Sequence, residues 1–409
     1  NLAKAFQLSG RIKEKQGQIK QAGIEFDRGI KQFNLLILID PENPDYLKSR
    51  ADLLQDIASS LQARGNTSAE QAAYLQALEA YERLVEVVPD NQVYTQTWAI
   101  ALYNLGTVQF RTNNLAAAND SFSRSSIIYK DLFERSQTPD NKTGYAVNMQ
   151  KLGECSLYTG YVSDARIYTE ESVLLFKELV TEFTGQRTFL ERLAIARRHL
   201  ADIEVAEGQL ETAEELLDTS LKELAQLIDL VEVDHAYRSN RASLLARKGE
   251  ILTTLDRPDE ALTCWQEARK EWEHVLTQEP FAEKQFLLAR LIVHHPSLQN
   301  DETLARALEL AGSCVKQVPA NPRYQNLLAH AELLSGRLED ADRSLVAARQ
   351  ARQQKSGLDD LVASLIATQQ NDQLAAEKHT AAARSWLSDV QPGNPRLHWL
   401  LDQFLRKSP

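Results

Sequence analysis

Eight histidines and three cysteines are the residues of this chain best suited to chemistry, and their spacing offers little. His294 and His295 stand side by side before Pro296, but no carboxylate follows at ligand spacing. We read them as polar rings closing a helix ahead of proline. The metalloprotease pattern HExxH and the pair CxxC are both missing. Cys155, Cys264 and Cys314 lie far apart, which suits neither a disulfide framework nor a metal cluster. Cys155 and Cys264 fall inside periodic helical segments and read as buried structural thiols. No GxxxxGK[ST], GxGxxG or GxSxG occurs, and no local signature ties Ser, His and Asp together. Trp265 and Trp272, seven residues apart, share a helix face and read as core. The expectation is a non-catalytic protein with no catalytic residue, no metal ligand and no cofactor.

Composition narrows the classes further. The 409 residues are 43% hydrophobic, enough for a core, and 25% charged. The net charge of −11 argues against direct nucleic-acid binding, which needs a basic face to displace counterions. The longest notable apolar run, Phe33 to Ile39, is broken by Asn34 and is too short to span a membrane. The opening NLAKAFQLSGRIKEKQGQIKQ is polar and helical, without the apolar centre of a secretion signal. With Asn at position 1 and Met149 the only methionine, we read the chain as part of a longer protein; the expected place is the cytoplasm, with the periplasm left open by the missing start.

The elements are helices. Glycine (16) and proline (12) are few and fall between periodic segments, and no alternating strand pattern is present. Residues 210–231 carry Leu210, Ala213, Leu217, Leu221, Leu224 and Ile228 at spacings of three and four, an amphipathic helix. One small residue recurs along the chain: Gly29, Ala77, Ala118, Ala165, Ala213, Ala261, Ala307, Ala341 and Ala376. The first intervals run from 41 to 48 and the last two are 34 and 35. Four residues later comes a large side chain, as at Phe33, Tyr81, Phe122, Leu217, Trp265 and Leu345. Twelve residues earlier stands another small one, as at Gly17, Gly106, Gly153, Ala201, Gly249, Ala329 and Ser364. Between them lie turn residues, Asn113, Gly160, Gly208, Asp256, Gly336 and Asn371, and Pro41, Pro89, Pro280, Pro319 and Pro392 close several units.

Two small residues let paired helices approach, the large one fills the space beside them, and a Gly, Asn or Asp turns the chain. One such hairpin cannot bury both faces, so neighbours must stack into a solenoid. The spacing places hairpins near 11–40, 45–89, 93–136, 142–184, 187–231, 237–279, 282–318, 322–354 and 357–390. We take 65–71 as an inserted loop and 294–301 as an irregular one. A last helix from Pro395 should cap the array, with Trp399 and Leu400 on the final hairpin and Arg396, Arg406 and Lys407 facing water.

The order small, turn, Ala, large, Pro resembles the tetratricopeptide repeat, most clearly in LGTVQFRTNNLAAANDSF (105–122) and LLAHAELLSGRLEDADRSL (327–345). The likeness runs from about Arg11 to Val390. It implies an all-α, right-handed superhelical solenoid of about nine antiparallel helix pairs with a C-terminal capping helix. The units divide into long-period hairpins over 1–280, hairpins of 34–35 residues over 281–394, and the cap at 395–409. Long-period arrays of this kind resemble those of bacterial multidomain regulatory proteins.

Charge follows the same division. Residues 187–199 set Arg187, Arg192, Arg197 and Arg198 against Glu191 alone, and 236–250 set Arg238, Arg241, Arg247 and Lys248 against Glu250. The intervening 201–234 hold eleven acids and one base, Lys222. In the tetratricopeptide family first helices line the concave groove, which would make this groove basic and suited to an acidic peptide or a carboxyl terminus. The other reading pairs these arginines with neighbouring acids on adjacent hairpins. The family's groove positions fall here at Tyr103, Thr107, Gln150, Glu154, Arg198, Asp202, Glu250, Asn326 and His330, with Arg238 and Arg241 added from the basic stretch. They do not reproduce the Lys, Asn, Asn, Lys, Arg clamp for chaperone tails. The expected function is protein–protein interaction on the concave face; the alternative is a regulatory or sensor region controlling an attached kinase, protease or DNA-binding domain upstream in the same chain.

Overall fold

The computed structural model describes residues 2–16, 18–230, 235–352 and 355–405. Gly17, Arg406, Lys407 and the side chain of Ile228 lie outside the described residues. Every regular element among those described is a helix, and the chain forms two units, residues 1–152 and 153–409.

In the first unit α1 (Leu2–Lys15) pairs with α2 (Ile19–Ile39), α3 (Pro44–Ala63) with α4 (Thr67–Val87), and α5 (Gln92–Arg111) with α6 (Leu115–Arg135). Helix α7 (Pro139–Tyr158) contains the boundary. The second unit continues with α8 (Val162–Glu182), then pairs α9 (Arg187–Ala206) with α10 (Leu210–Leu230) and α11 (His235–Thr254) with α12 (Pro258–Leu276). Three further pairs follow: α13 (Ala282–His294) with α14 (Asp301–Gln317), α15 (Pro322–Leu334) with α16 (Leu338–Ala351), and α17 (Gly357–Gln369) with α18 (Gln373–Val390). Helix α19 (Pro395–Leu405) ends the described chain. From α3 to α12 the helices have 19 to 21 residues; α15, α16 and α17 have 13 or 14. The longer sequence period is therefore carried by longer helices.

The crossings explain the small residues. Ala77, Ala118, Ala165, Ala213, Ala261, Ala307 and Ala341 are wholly buried. A Cβ on Gly106 would lie 2.8 Å from the Phe122 ring, and one on Gly249 would enter the Trp265 indole. Trp265 also donates its indole N–H to the Ala246 carbonyl at 3.2 Å, and Trp272 is 1% exposed. Burying side chains of this size contributes about 1.5–3 kcal/mol each. The six turn residues named from the sequence all take positive φ, between 59° and 86°. There Asn113 N–H donates to the Phe110 carbonyl and Asn114 N–H to the Gln109 carbonyl, which satisfies carbonyls that end α5. At the opposite ends asparagines cap: Asn43 and Asn321 accept from the first turns of α3 and α15, each followed by Pro at the first helical position.

Three readings need correction. The first hairpin begins at Leu2, and its crossing glycine is Gly10, buried against the Phe26 ring. Residues 67–71 are helix, because Asn66 accepts from Ala69 N–H and starts α4 there; the loop shrinks to Gly65 (φ 69°) and Asn66. Arg396 is held by a buried carboxylate rather than left in water, for reasons given below. The irregular 294–301 connection is present as a 3-10 turn (Pro296–Leu298) followed by the Asn300–Thr303 capping box of α14.

Candidate functional site

The two units divide the expected groove residues. Tyr103, Thr107 and Gln150 belong to the first. Tyr103 is half-buried with its ring 5.5 Å from Phe122, Thr107 donates its hydroxyl to the Tyr103 carbonyl at 2.9 Å, and Gln150 is buried. These contacts are within and between helices of the same hairpin stack, and none of the three makes a charged site.

The remaining eight belong to the second unit. Half-buried Glu154 lies near the C-terminal end of α7. Arg198 on α9 faces Asp202 one turn on, at 3.7 Å. Asp202 takes Arg247 of α11 at 2.6 Å, Arg247 reaches Glu250 at 2.8 Å, and Glu250 takes Arg396 of α19 at 2.9 Å. Basic and acidic groups thus alternate along a line through three helices. Arg247 and Glu250 are both buried. Burial opposes the charge of Arg247, but Asp202 and Glu250 outweigh it and raise its pKa. Burial likewise opposes the charge of Glu250, and Arg396 and Arg247 more than offset it, holding the carboxyl below its usual range.

Arg238 and Arg241 do not join this line. Both pair with Glu271 of α12, Arg238 at 2.9 Å, and Arg241 also meets Glu267 at 3.2 Å. Arg197 similarly pairs with Glu223 of α10. Arg197, Arg238 and Arg241 are thus paired with acids of the second helix of their own hairpin, and Lys248 reaches Asp218 of the preceding one, so the basic stretch is largely paired, mostly within rather than between hairpins. Asn326 on α15 donates to Asp359 of α17 at 2.8 Å, and Arg352 holds the same carboxylate at 2.8 Å. His330 is 2% exposed, its ring 4.9 Å from Phe404 of α19, and burial lowers its pKa to about 4.

Helix α19 is placed by the sequence as a cap, but its wider path is not. It does pack on the last hairpin, where Leu400, Leu401 and Phe404 join Leu361 and Leu387. It also runs across the first helices. Trp399 lies 5.3 Å from the His295 ring, Phe404 6.4 Å from His294, and α19 touches α9. The turn before it docks too: Gly393 donates its N–H to the Tyr158 carbonyl at 3.3 Å, and a Cβ there would enter the Leu157 carbonyl. His295 sits between Trp265 at 4.3 Å and Trp399, with Nδ1 2.6 Å from the Leu291 carbonyl. A carbonyl only accepts, so Nδ1 carries the proton. Burial lowers the pKa of His295 to about 4, against the pull of Glu250. No local signal marked this docking, since PRLHWLLDQFL is amphipathic, as a terminal cap would also be.

Between α19 and helices α13, α15 and α17 lies a cleft enclosing about 680 Å³ of space, part of it open to solvent. Its lining mixes arginines with Phe286, Leu327, Leu358 and Leu397. Elsewhere, burial disfavours the thiolate form of two of the three cysteines. Cys155 and Cys314 are buried, and burial pushes the Cys264 thiol to about 11 and that of Cys314 to about 12. Among the described residues no cluster of three metal-ligating side chains occurs, and no helix is long and apolar enough to cross a membrane.

No family profile matches the chain, and no curated protein matches it. Solved structures do resemble it. The apo form of RapI has a TM-score of 0.46 at 11% identity, over 74% of this chain and 97% of that one. The human IFIT1 dimer with PPP-AAAA has 0.45 at 15%, over 97% and 81%. A tetratricopeptide repeat protein from Parabacteroides merdae has 0.38 at 12%, over 75% and 98%. At these identities and scores the likeness says nothing of what this chain binds. By its own crossings, turns and caps, the chain has a tetratricopeptide-like fold.

Proposed function

We propose that the chain is a non-catalytic interaction scaffold, and that the first-helix face of its second unit receives a peptide or a protein segment. The observation that carries this reading is α19: the face already holds an amphipathic helix of the same chain, gripped by an ion pair at Glu250 and by aromatic contacts at His295 and His330. A surface that accepts one amphipathic helix has the means to accept another. Arg198, Asp202, Glu250, Asn326 and His330 are the contact residues on this reading, with Glu154 beside them. Arg238 and Arg241 serve as ion-pair partners within their hairpin. Tyr103, Thr107 and Gln150 mark the corresponding positions of the first unit. Acidic partners are favoured only where they displace an existing carboxylate, because the arginines are already paired.

A regulatory role fits the same observation. A groove filled by its own chain responds to a partner by releasing α19, and that displacement lowers the apparent affinity by the fraction of time the groove is open.

The test is partner capture with the full chain and with a chain ending at Val390, followed by direct titration of the recovered partner. Binding should strengthen when α19 is absent. Arg198→Glu should weaken it at least tenfold, about 1.4 kcal/mol. A partner indifferent to both changes binds elsewhere and contradicts the assignment of this face.

A further inference from the structure

We propose that the cleft between α13, α15, α17 and α19 is a ligand site for a carboxylate carried on an apolar body, with Arg290 as the group that receives the carboxylate. The charge balance of the cleft leads there. Four arginines line it, and three meet an acid: Arg396 with Glu250 at 2.9 Å, a carboxylate it shares with Arg247, Arg323 with Glu283 at 3.8 Å, and Arg352 with Asp359 at 2.8 Å. Arg290 has no carboxylate within ion-pair distance among the described residues; its guanidinium instead lies over the Phe286 ring, 5.4 Å from the centroid. Arg323 covers the same ring at 4.6 Å. One cation is therefore left over in a concave, largely apolar setting, where an unpaired charge is costly.

The physical state of Arg290 agrees with that geometry. Burial, and then the neighbouring charges of Arg396 and Arg323, lower its pKa to about 9 against the weaker pull of Glu250 and Glu283, which lie beyond ion-pair distance. A protein gains nothing from crowding a cation against two others unless an anion joins them. A carboxylate supplies the one negative charge missing and fits the planar fork of a guanidinium. Phe286, Leu327, Leu397 and Leu400 leave apolar surface for the body that carries it. A phosphate dianion would overshoot the single unpaired charge. Two sources share the carboxylate chemistry, a free aliphatic acid and the C-terminal residue of a peptide. The site adjoins the line Arg198–Asp202–Arg247–Glu250–Arg396 and shares its last two residues, but its existence does not depend on a protein partner binding there.

The experiment is calorimetric titration of the full chain with octanoate, against octanol and octyl phosphate, and with N-acetyl-leucyl-leucine bearing a free or an amidated C-terminus. Octanoate or the free-acid dipeptide should bind at least tenfold more tightly than octanol or the amide, and which acid binds better identifies the source. Arg290→Met should abolish this preference without lowering the melting temperature, since methionine replaces the stem and removes an uncompensated charge. Arg323→Met, at a partly exposed position, provides the second arm and should weaken acid binding several-fold. Three results would overturn the proposal: acids binding no better than their neutral counterparts, octyl phosphate binding more tightly than octanoate, or acid binding unchanged in both variants.

Discussion

Lowering the pH from 7 to 4 should cost the second unit about 3 kcal/mol through His330 alone, and as much again through His295. Both rings are buried and both pKa values are lowered to about 4, His330 by burial and His295 by burial against partial relief from Glu250. In the unfolded chain each returns to about 6.5. Between those two values the unfolded state binds the protons and the folded state does not. Stability is therefore full above about pH 6.5 and falls as the pH descends through the window. The groups facing these rings are Glu250, Arg396 and Arg290, with His294, whose pKa burial also lowers. Urea titrations at several pH values provide the measurement. His330→Phe keeps a ring against Phe404 but cannot take a proton, so its stability should fall by about 3 kcal/mol less than that of the native chain over the same range. Parallel pH curves for the two would show that His330 is not neutral and buried.

Glu250→Leu should lower stability by about 3–5 kcal/mol, the cost of leaving buried charge unpaired. Glu250 is 1% exposed and serves Arg247 and Arg396 together. Its loss leaves Arg247 with Asp202 only and takes from Arg396 the carboxylate that anchors α19. The double variant Glu250→Leu, Arg396→Met should recover part of the loss, because one of the two orphaned charges goes as well. Denaturant midpoints at constant slope measure both effects. A single variant as stable as the native chain would mean that the Glu250 cluster is solvated and does not hold α19.

Local features of the fold were legible, and each had a local cause. Asn113, Gly160, Gly208, Asp256, Gly336 and Asn371 were readable as turns because only such residues accept positive φ readily, and all six adopt it. The buried alanines were readable because a helix crossing repeats at a fixed offset from its turn. Gly10 was missed because Gly29 was taken as the small residue of α2; the repeat's offset fits Ala22, which is wholly buried twelve residues after Gly10 and four before Phe26.

Long-range features were not legible to the same degree. The basic stretch around Arg238 and Arg241 was plain, but the sequence gives no side-chain direction. Both arginines sit on one face of α11, and that face turns to Glu271. The path of α19 depends on Gly393 docking against the carbonyl of Leu157, more than 230 residues earlier, and no local pattern encodes such a pairing. Arg290 was invisible for the same reason: only the assembled cleft shows that three neighbouring arginines meet acids and this one is in no ion pair.

The most direct measurement supplies α19 as a separate molecule. A chain ending at Val390 should remain helical by circular dichroism and bind a labelled peptide of residues 392–405 with micromolar affinity by fluorescence anisotropy, while the full chain, whose face is filled, binds it at least tenfold more weakly. Trp399→Ala in the peptide should weaken the complex at least tenfold. A folded truncated chain that ignores the peptide, or a full chain that binds it equally well, would contradict the claim that the first-helix face of the second unit is a receptor for an amphipathic segment.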